Sequence, residues 1–212
     1  MNKQNALVIG AGSDIGQSLA GALKKSEEFE NIHLISRKPI TNASLLNSSS
    51  FKTHICDHKE DSIRRVLQHI FSVGSSPCSI IICNGILHSN EIFPERRLEH
   101  ISAGSLEEIF RINAIVPMLW LSELIHFLSK TSPSIVTVLS ARVGSITDNK
   151  LGGWYGYRAS KAALNMLLKS AAIEYSRRNK MVKLLSIHPG TVDTKLSKPF
   201  QRSIPKEQIF TP

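Results

Sequence analysis

The sequence predicts an α/β fold: one doubly wound domain on a mostly parallel sheet of at least six strands. Three observations predict it. Short apolar runs alternate with longer segments of helical periodicity. The runs "ALVIG", "IHLIS", "THIC", "SIIIC", "SIVTVLS" and "VKLLSIH" are apolar almost throughout, as in strands buried on both faces of a helix-covered parallel sheet. The first run ends in a glycine-rich turn, "GAGSDIG", that opens directly into a helical pattern. There is no internal repeat and no linker, so residues 1–212 read as a single domain.

The elements follow in order. After the first strand, "SDIGQSLAGALKK" places Ile15, Leu19, Ala22 and Leu23 at helical spacing. Ser13 and Asp14 are the candidate caps of that helix. "TNASLLNSSS" reads as a polar loop. "EDSIRRVLQHIF", "LEEIFRINAIVPMLWLSELIHFL" and "YGYRASKAALNMLLKSAAIEYSRR" read as three more helices. Ser105 and Glu108 have the S-x-x-E spacing of a capping box for the second of these.

Composition narrows the function classes. A chain of 212 residues with 42% hydrophobic residues can bury one substantial core. No apolar run reaches the ~18–20 residues of a membrane span. The apolar stretch before the first glycine is too short for a signal peptide. Three cysteines, Cys56, Cys78 and Cys83, lack zinc spacing, and a reduced cytoplasmic protein is expected. The histidines likewise show no metal spacing. The net charge is +9, but the cations come in ones and twos with few aromatics, which argues against nucleic acid. An anionic cofactor accounts for part of the charge.

The glycine turn is where chemistry starts. Gly10 and Gly16 bracket it, with Ser13 and Ile15 between them. Glycines there let the backbone approach a pyrophosphate, and the helix N-terminus adds N–H donors and a positive dipole end. The spacing departs from G-x-G-x-x-G and fits G-x-x-x-G-x-G, except that Asp14 takes the middle glycine's place. Its carboxylate would repel phosphate and is expected to turn aside. At the end of the second strand, "LISRK" puts Ser36 where an NAD-preferring fold holds an acid for the ribose 2′-hydroxyl. Ser36 removes the repulsion, and Arg37 can pair with a 2′-phosphate. NADP(H) is therefore expected over NAD(H).

"YGYRASKAAL" sets Tyr157 four residues before Lys161, on one face of a helix. Alone, that spacing says little. A free phenol titrates near ~10 and is a sluggish acid–base group at neutral pH. A nearby ammonium would favour the phenolate. With the glycine turn and with "LSARVGSITDNKLGGWYGYRASKAALNMLLKSAAIEYSRR" followed by "LSIHPGTVDTKLSKPF", the chain resembles the short-chain dehydrogenase/reductase superfamily. Within it, the likeness is to the carbonyl-reductase and C-factor-like branch, over nearly the whole chain.

The resemblance implies a single dinucleotide-binding Rossmann domain that reduces an aldehyde or ketone with NADPH. It implies Tyr157 as proton donor and Lys161 as the group that lowers the tyrosine pKa and holds the nicotinamide ribose. The family's substrate-polarising serine falls at Ala141, counting back from Gly144. Ser140, Ser145 or neither takes its place, and Ser140 is the first candidate. Asn113 matches the family's helix asparagine that holds a relay water. Pro117, which cannot donate to the carbonyl of residue 113, supplies a local reason. Asp57 is similar to the adenine-contacting acid. "CNG" puts Gly85 in register with Asn-Ala-Gly and Asn84 at the alanine position. In "HPGTVDT", Pro189, Gly190, Val192 and Thr194 stand where the family flanks the carboxamide. The partners implied are a small carbonyl substrate and a second copy, as homodimer or homotetramer, through helices near 105–128 and 154–178. Relatives usually continue past "KEQIF" with another helix and strand, so the chain reads as naturally short or truncated. The alternative reading is a dinucleotide-binding signalling or regulatory protein with little turnover.

Overall fold

The computed structural model describes residues 4–72 and 76–212. Six strands, β1 (Gln4–Ile9), β2 (Phe29–Ser36), β3 (Phe51–Ile55), β4 (Ser79–Ile82), β5 (Ser134–Leu139) and β6 (Val182–Ile187), form one sheet. Their order is β3-β2-β1-β4-β5-β6, and every pairing is parallel. The order reverses between β1 and β4, and a crevice opens at their C-terminal ends. Two two-residue strands, β7 (Thr191–Val192) and β8 (Ile209–Phe210), pair separately.

One sheet face carries helices α3 (Glu60–Ser72), α4 (Ala103–Phe110), α5 (Val116–Phe127) and α6 (Tyr155–Arg178). Its core includes Leu7, Ile9, Ile63, Leu67, Trp120, Val136 and Leu164. The other face carries α1 (Asp14–Lys25) and the one-turn α2 (Ala43–Leu46), packed on Ala6, Val8, Ile32 and Leu34. That second layer covers mainly β1 and β2 and thins toward β4 and β5, where Ile81 and Leu139 still pack against it. Ile135, Leu185 and Ile187 are consequently 47, 44 and 41% exposed. The reading of β6 as buried on both faces is thus corrected: at the sheet edge only its α6 side is covered.

Three local expectations also shift. The segment read as a polar loop contains α2, capped by the Asn42 side chain at the Ser44 N–H. The cap of α4 is Ser102, which accepts from the Ser105 N–H, so the helix starts three residues before the proposed capping box. Between α4 and α5, residues Arg111–Ile115 form a π turn in which the Val116 N–H reaches the Arg111 carbonyl. The widened turn relieves the crowding that Pro117 would impose on the Asn113 carbonyl in a regular helix. The continuous rod Ala103–Phe127 is long and apolar enough to cross a bilayer by length and composition. Here its inner face, with Ile109, Asn113, Ala114, Trp120 and Leu124, lies in the core.

Candidate active site

The glycine turn and the end of β4 meet in the crevice. Gly10 has φ +82°, and a Cβ on it would lie 3.1 Å from both the Asn84 nitrogen and the Cys83 carbonyl carbon. A Cβ on Gly16 would lie 2.6 Å from the Gly10 carbonyl oxygen. Both positions admit only glycine, because the obstacles are backbone. Ser13 caps α1: its Oγ accepts from the Gly16 N–H at 3.1 Å and donates to the Gly10 carbonyl at 2.8 Å. Ile15 is half-buried in the first turn of α1. The Asp14 carboxylate turns aside and accepts from the Lys195 N–H at 2.8 Å.

Ser36 ends β2 buried, donates to the Lys38 carbonyl at 2.6 Å, and has its Cβ 3.7 Å from where a Cβ on Gly12 would stand. Arg37 is exposed beside it, and its charge reaches His58. Asp57, after β3, is exposed and accepts from the Lys59 N–H at 3.0 Å. That bond is the first cause holding its carboxyl below the usual range. His58, with φ +63°, is buried and accepts at Nδ1 from Trp120 Nε1 (3.1 Å). Its Nε2 lies 3.3 Å from the Asn84 amide. Burial, then the charge of Arg37, bring the His58 pKa to about 4.

Asn113 is fully buried and clasps the loop after β4. Its Oδ1 accepts from the Ile86 N–H (2.7 Å), and its Nδ2 donates to the Ile86 carbonyl (2.9 Å) and Ser160 Oγ (3.0 Å). A Cβ on Gly85 would stand 3.8 Å from both Asn113 Oδ1 and Lys161 Nζ. Gly85, Asn113 and Lys161 therefore share one hollow. Lys161 is buried and donates to the Leu139 carbonyl at 2.9 Å, and burial lowers its pKa to about 8. Tyr157, one turn earlier on the same face, is pushed up to about 12 by burial alone. Burial outweighs any influence of Lys161, whose ammonium is bonded to the Leu139 carbonyl here, so the Tyr157 pKa is raised where a lowering was expected.

The Ser140 hydroxyl has a partner of its own. Its Oγ donates to Asn165 Oδ1 at 2.6 Å, and Asn165 is also 3.3 Å from Ser186 Oγ. Residues 157 and 165 are two turns apart on α6, about 12 Å along the axis. The Ser140 hydroxyl is thereby turned away from Tyr157, as strand alternation requires of a neighbour of residue 141. Ser145 accepts from the Asp148 N–H at 3.3 Å in a turn of its own. Pro189 and Gly190 (φ +78°) lead into β7. Val192 and Thr194 are buried, with Thr194 Oγ1 donating to the Val192 carbonyl at 3.3 Å.

Several contacts escaped the sequence reading. Trp154 packs edge-on against both Tyr157 and Phe200, with ring centroids 6.3 and 5.0 Å apart, and Phe200 meets His88 at 5.5 Å. Glu95 is buried at the start of α6. No spacing links residues 88, 95, 154 and 200.

A turn built to admit a phosphate, a hollow free of a side chain at Gly85, and an Asn84 amide with one end buried and unpartnered together fit a nicotinamide dinucleotide. The chain belongs to the short chain dehydrogenase family, whose model matches residues 4–204. Members of this oxidoreductase family use nicotinamide dinucleotides. The chain is 33% identical to C-signal of Myxococcus xanthus over 102 residues, which is 48% of this chain and 60% of that protein. It is 25% identical to a benzil reductase ((S)-benzoin forming) of Bacillus subtilis over 202 residues, covering 95% of this chain and 79% of the relative. Among solved structures, carbonyl reductase Sniffer of D. melanogaster superposes with TM-score 0.81 at 22% identity, over 92% of this chain and 83% of that one. An NADPH-bound carbonyl reductase from chicken fatty liver superposes with TM-score 0.79 at 22% identity, over 100% of this chain and 87% of that one.

Proposed function

We propose that the protein reduces an aldehyde or ketone to an alcohol with NADPH, Tyr157 giving the proton. The observation that carries this is geometric: Tyr157 stands one turn before Lys161 on α6, and Lys161, Asn113 and Gly85 share one hollow. A protonated phenol can give its proton to an alkoxide forming beside it. When bound, the nicotinamide supplies the hydride. Lys161, still largely cationic near neutrality, would grip the ribose and favour negative charge on the phenol oxygen as the proton leaves. Asn113 fixes the loop of Gly85 and keeps the hollow open. Gly10, Ser13, Ile15 and Gly16 would face the pyrophosphate. Ser36 and Arg37 would accept a 2′-phosphate, Asp57 and Asn84 the adenosine half, and Pro189, Gly190, Val192 and Thr194 the carboxamide.

The aromatic edge of Trp154 and Phe200 beside Tyr157 favours an apolar carbonyl substrate. Three free cysteines fit a reducing cytoplasm, and a homodimer or homotetramer completes the reading. The test is NADPH oxidation over a panel of aldehydes and ketones with Tyr157→Phe alongside. General acid catalysis contributes roughly 10²–10⁴-fold, so the variant should lose at least ~100-fold in kcat. Full activity in Tyr157→Phe would overturn the mechanism. A second reading, a dinucleotide-binding regulatory protein with little turnover, is favoured by Ala141 and by the Ser140 hydroxyl being bound to Asn165. Tight NADPH binding without turnover on any carbonyl would select it.

A further inference from the structure

The helix that carries Tyr157 cannot cap itself. Trp154 holds its N-cap position in the left-handed region (φ 52°, ψ 43°) and offers no side-chain acceptor. Uncapped first turns leave N–H groups without partners and fray. The missing acceptor comes from 61 residues upstream. Glu95 Oε2 accepts from the Gly156 N–H at 3.2 Å, and the Glu95 carbonyl accepts from the Trp154 N–H. Glu95 is only 2% exposed, and its Oε1 is buried with no partner.

Gly156 makes the arrangement possible. A Cβ there would lie 2.9 Å from Glu95 Oε1, 3.0 Å from Ile109 Cδ1 and 3.1 Å from Leu106 Cδ2. The carboxylate is clamped between α4 and α6 in a space that any side chain at 156 would fill. Burying a carboxylate with one oxygen idle is costly. The positive end of a 24-residue helix offsets part of that cost. A Leu or Met would fill the same space at less expense, so packing alone does not explain an acid here.

We propose that Glu95 is a positioning residue for the reaction: it caps α6 from the loop after β4 and so fixes where Tyr157 and Trp154 stand. Tyr157 follows Gly156 directly, and the Trp154 ring edges the Tyr157 ring. Loosening the first turn moves the proton donor and the aromatic wall together. Lys161 is held separately through the Leu139 carbonyl, and the phosphate turn lies on α1. Cofactor binding is therefore spared.

This inference rests on the proposed reductase activity, and the test separates the two. Glu95→Ala removes the cap, and Glu95→Gln keeps an acceptor of the same length while dropping the charge. In Glu95→Ala, amide exchange at Gly156 and Tyr157 should speed at least ~10-fold, and kcat should fall ~10- to 100-fold, since a displacement near ~1 Å can cost ~10². The KM for NADPH should stay within about two-fold, and Glu95→Gln should recover most of the kcat. A folded Glu95→Ala with parental kcat, or with unchanged exchange at Gly156, overturns the proposal. If the parent reduces no carbonyl, the reductase reading fails on its own. The ring signals of carbon-labelled Tyr157 then decide the positioning role: a shift in Glu95→Ala that Glu95→Gln reverses supports it, and unmoved signals sink it.

Discussion

Replacing Gly144 by alanine would drive a methyl group into the helix that carries Lys161. The new Cβ would lie 2.8 Å from the Lys161 carbonyl carbon, 2.9 Å from Lys161 Cβ and 3.0 Å from the Ala162 nitrogen. Carbon contacts are comfortable from ~3.5 Å, so α6 or the 142–144 turn must yield by about 0.7 Å. The obstacle is helix backbone, which cannot rotate away. Overpacking of this kind costs ~1–3 kcal/mol, and reduced freedom of the unfolded chain returns ~0.4–1 kcal/mol. The net is about 1–2 kcal/mol, or roughly 2–8 °C in Tm for a chain of this size. Displacing Lys161 by that distance from the Leu139 carbonyl and the Gly85 hollow should lower kcat about 10- to 50-fold. Gly21 is the control. It lies within α1 with nothing within 4 Å of its would-be Cβ. Gly21→Ala should stabilise by ~0.5–1 kcal/mol and leave kcat alone. Thermal unfolding and NADPH-oxidation kinetics on both variants suffice. Parental Tm and kcat in Gly144→Ala would refute the reasoning.

Two further outcomes are expected. Ser140→Ala should cost ~1 kcal/mol for its bond to Asn165 and leave kcat within about two-fold; a loss of ~100-fold would return Ser140 to the reacting oxygen. Acid should unfold the protein partly through His33, whose Nδ1 lies 3.0 Å from His54 Nε2. Its pKa is brought from 6.5 to about 4 by burial, then by the charges of His54, His69 and Lys52. A depressed folded pKa means stability that is full above ~6.5 and is lost as pH falls toward ~4. The loss from His33 at pH ~5 is about 2 kcal/mol. Urea unfolding of His33→Gln should show that much less dependence between pH ~7.5 and ~5, and an unchanged slope would count against it.

The parts legible in the sequence were those with a local cause. Apolar runs marked the central strands β1, β2, β4 and β5 because burial leaves little room for polar side chains, whereas β3 and β6, at the sheet edges, are marked by short runs that lie largely exposed. The i,i+4 spacing put Tyr157 and Lys161 on one face because helix geometry is periodic. What escaped depends on distant partners. Glu95 sits in "FPERRLEH", which has no periodicity, and its meaning comes from Gly156 across the fold. The π turn at 111–115 coincides with the clasp of Asn113 on Ile86 as well as with Pro117. Ser105 resembled a cap because S-x-x-E is degenerate, and Ser102, three residues earlier, has equal chemistry. The Ser140 side chain was ambiguous from its spacing to Gly144, and its bond to Asn165, 25 residues on, leaves no mark in that spacing.

The buried Trp120 carries a consequence for the cofactor crevice. An indole nitrogen can only donate, so His58 Nδ1 must accept, and a neutral imidazole then carries its proton on Nε2. The Asn84 amide group 3.3 Å away is satisfied only with its oxygen turned toward that proton. Its NH₂ end becomes the one buried without a partner. A tryptophan in the core thus dictates the polarity shown by a side chain beside the glycine hollow, through a relay of fixed tautomers rather than through any movement.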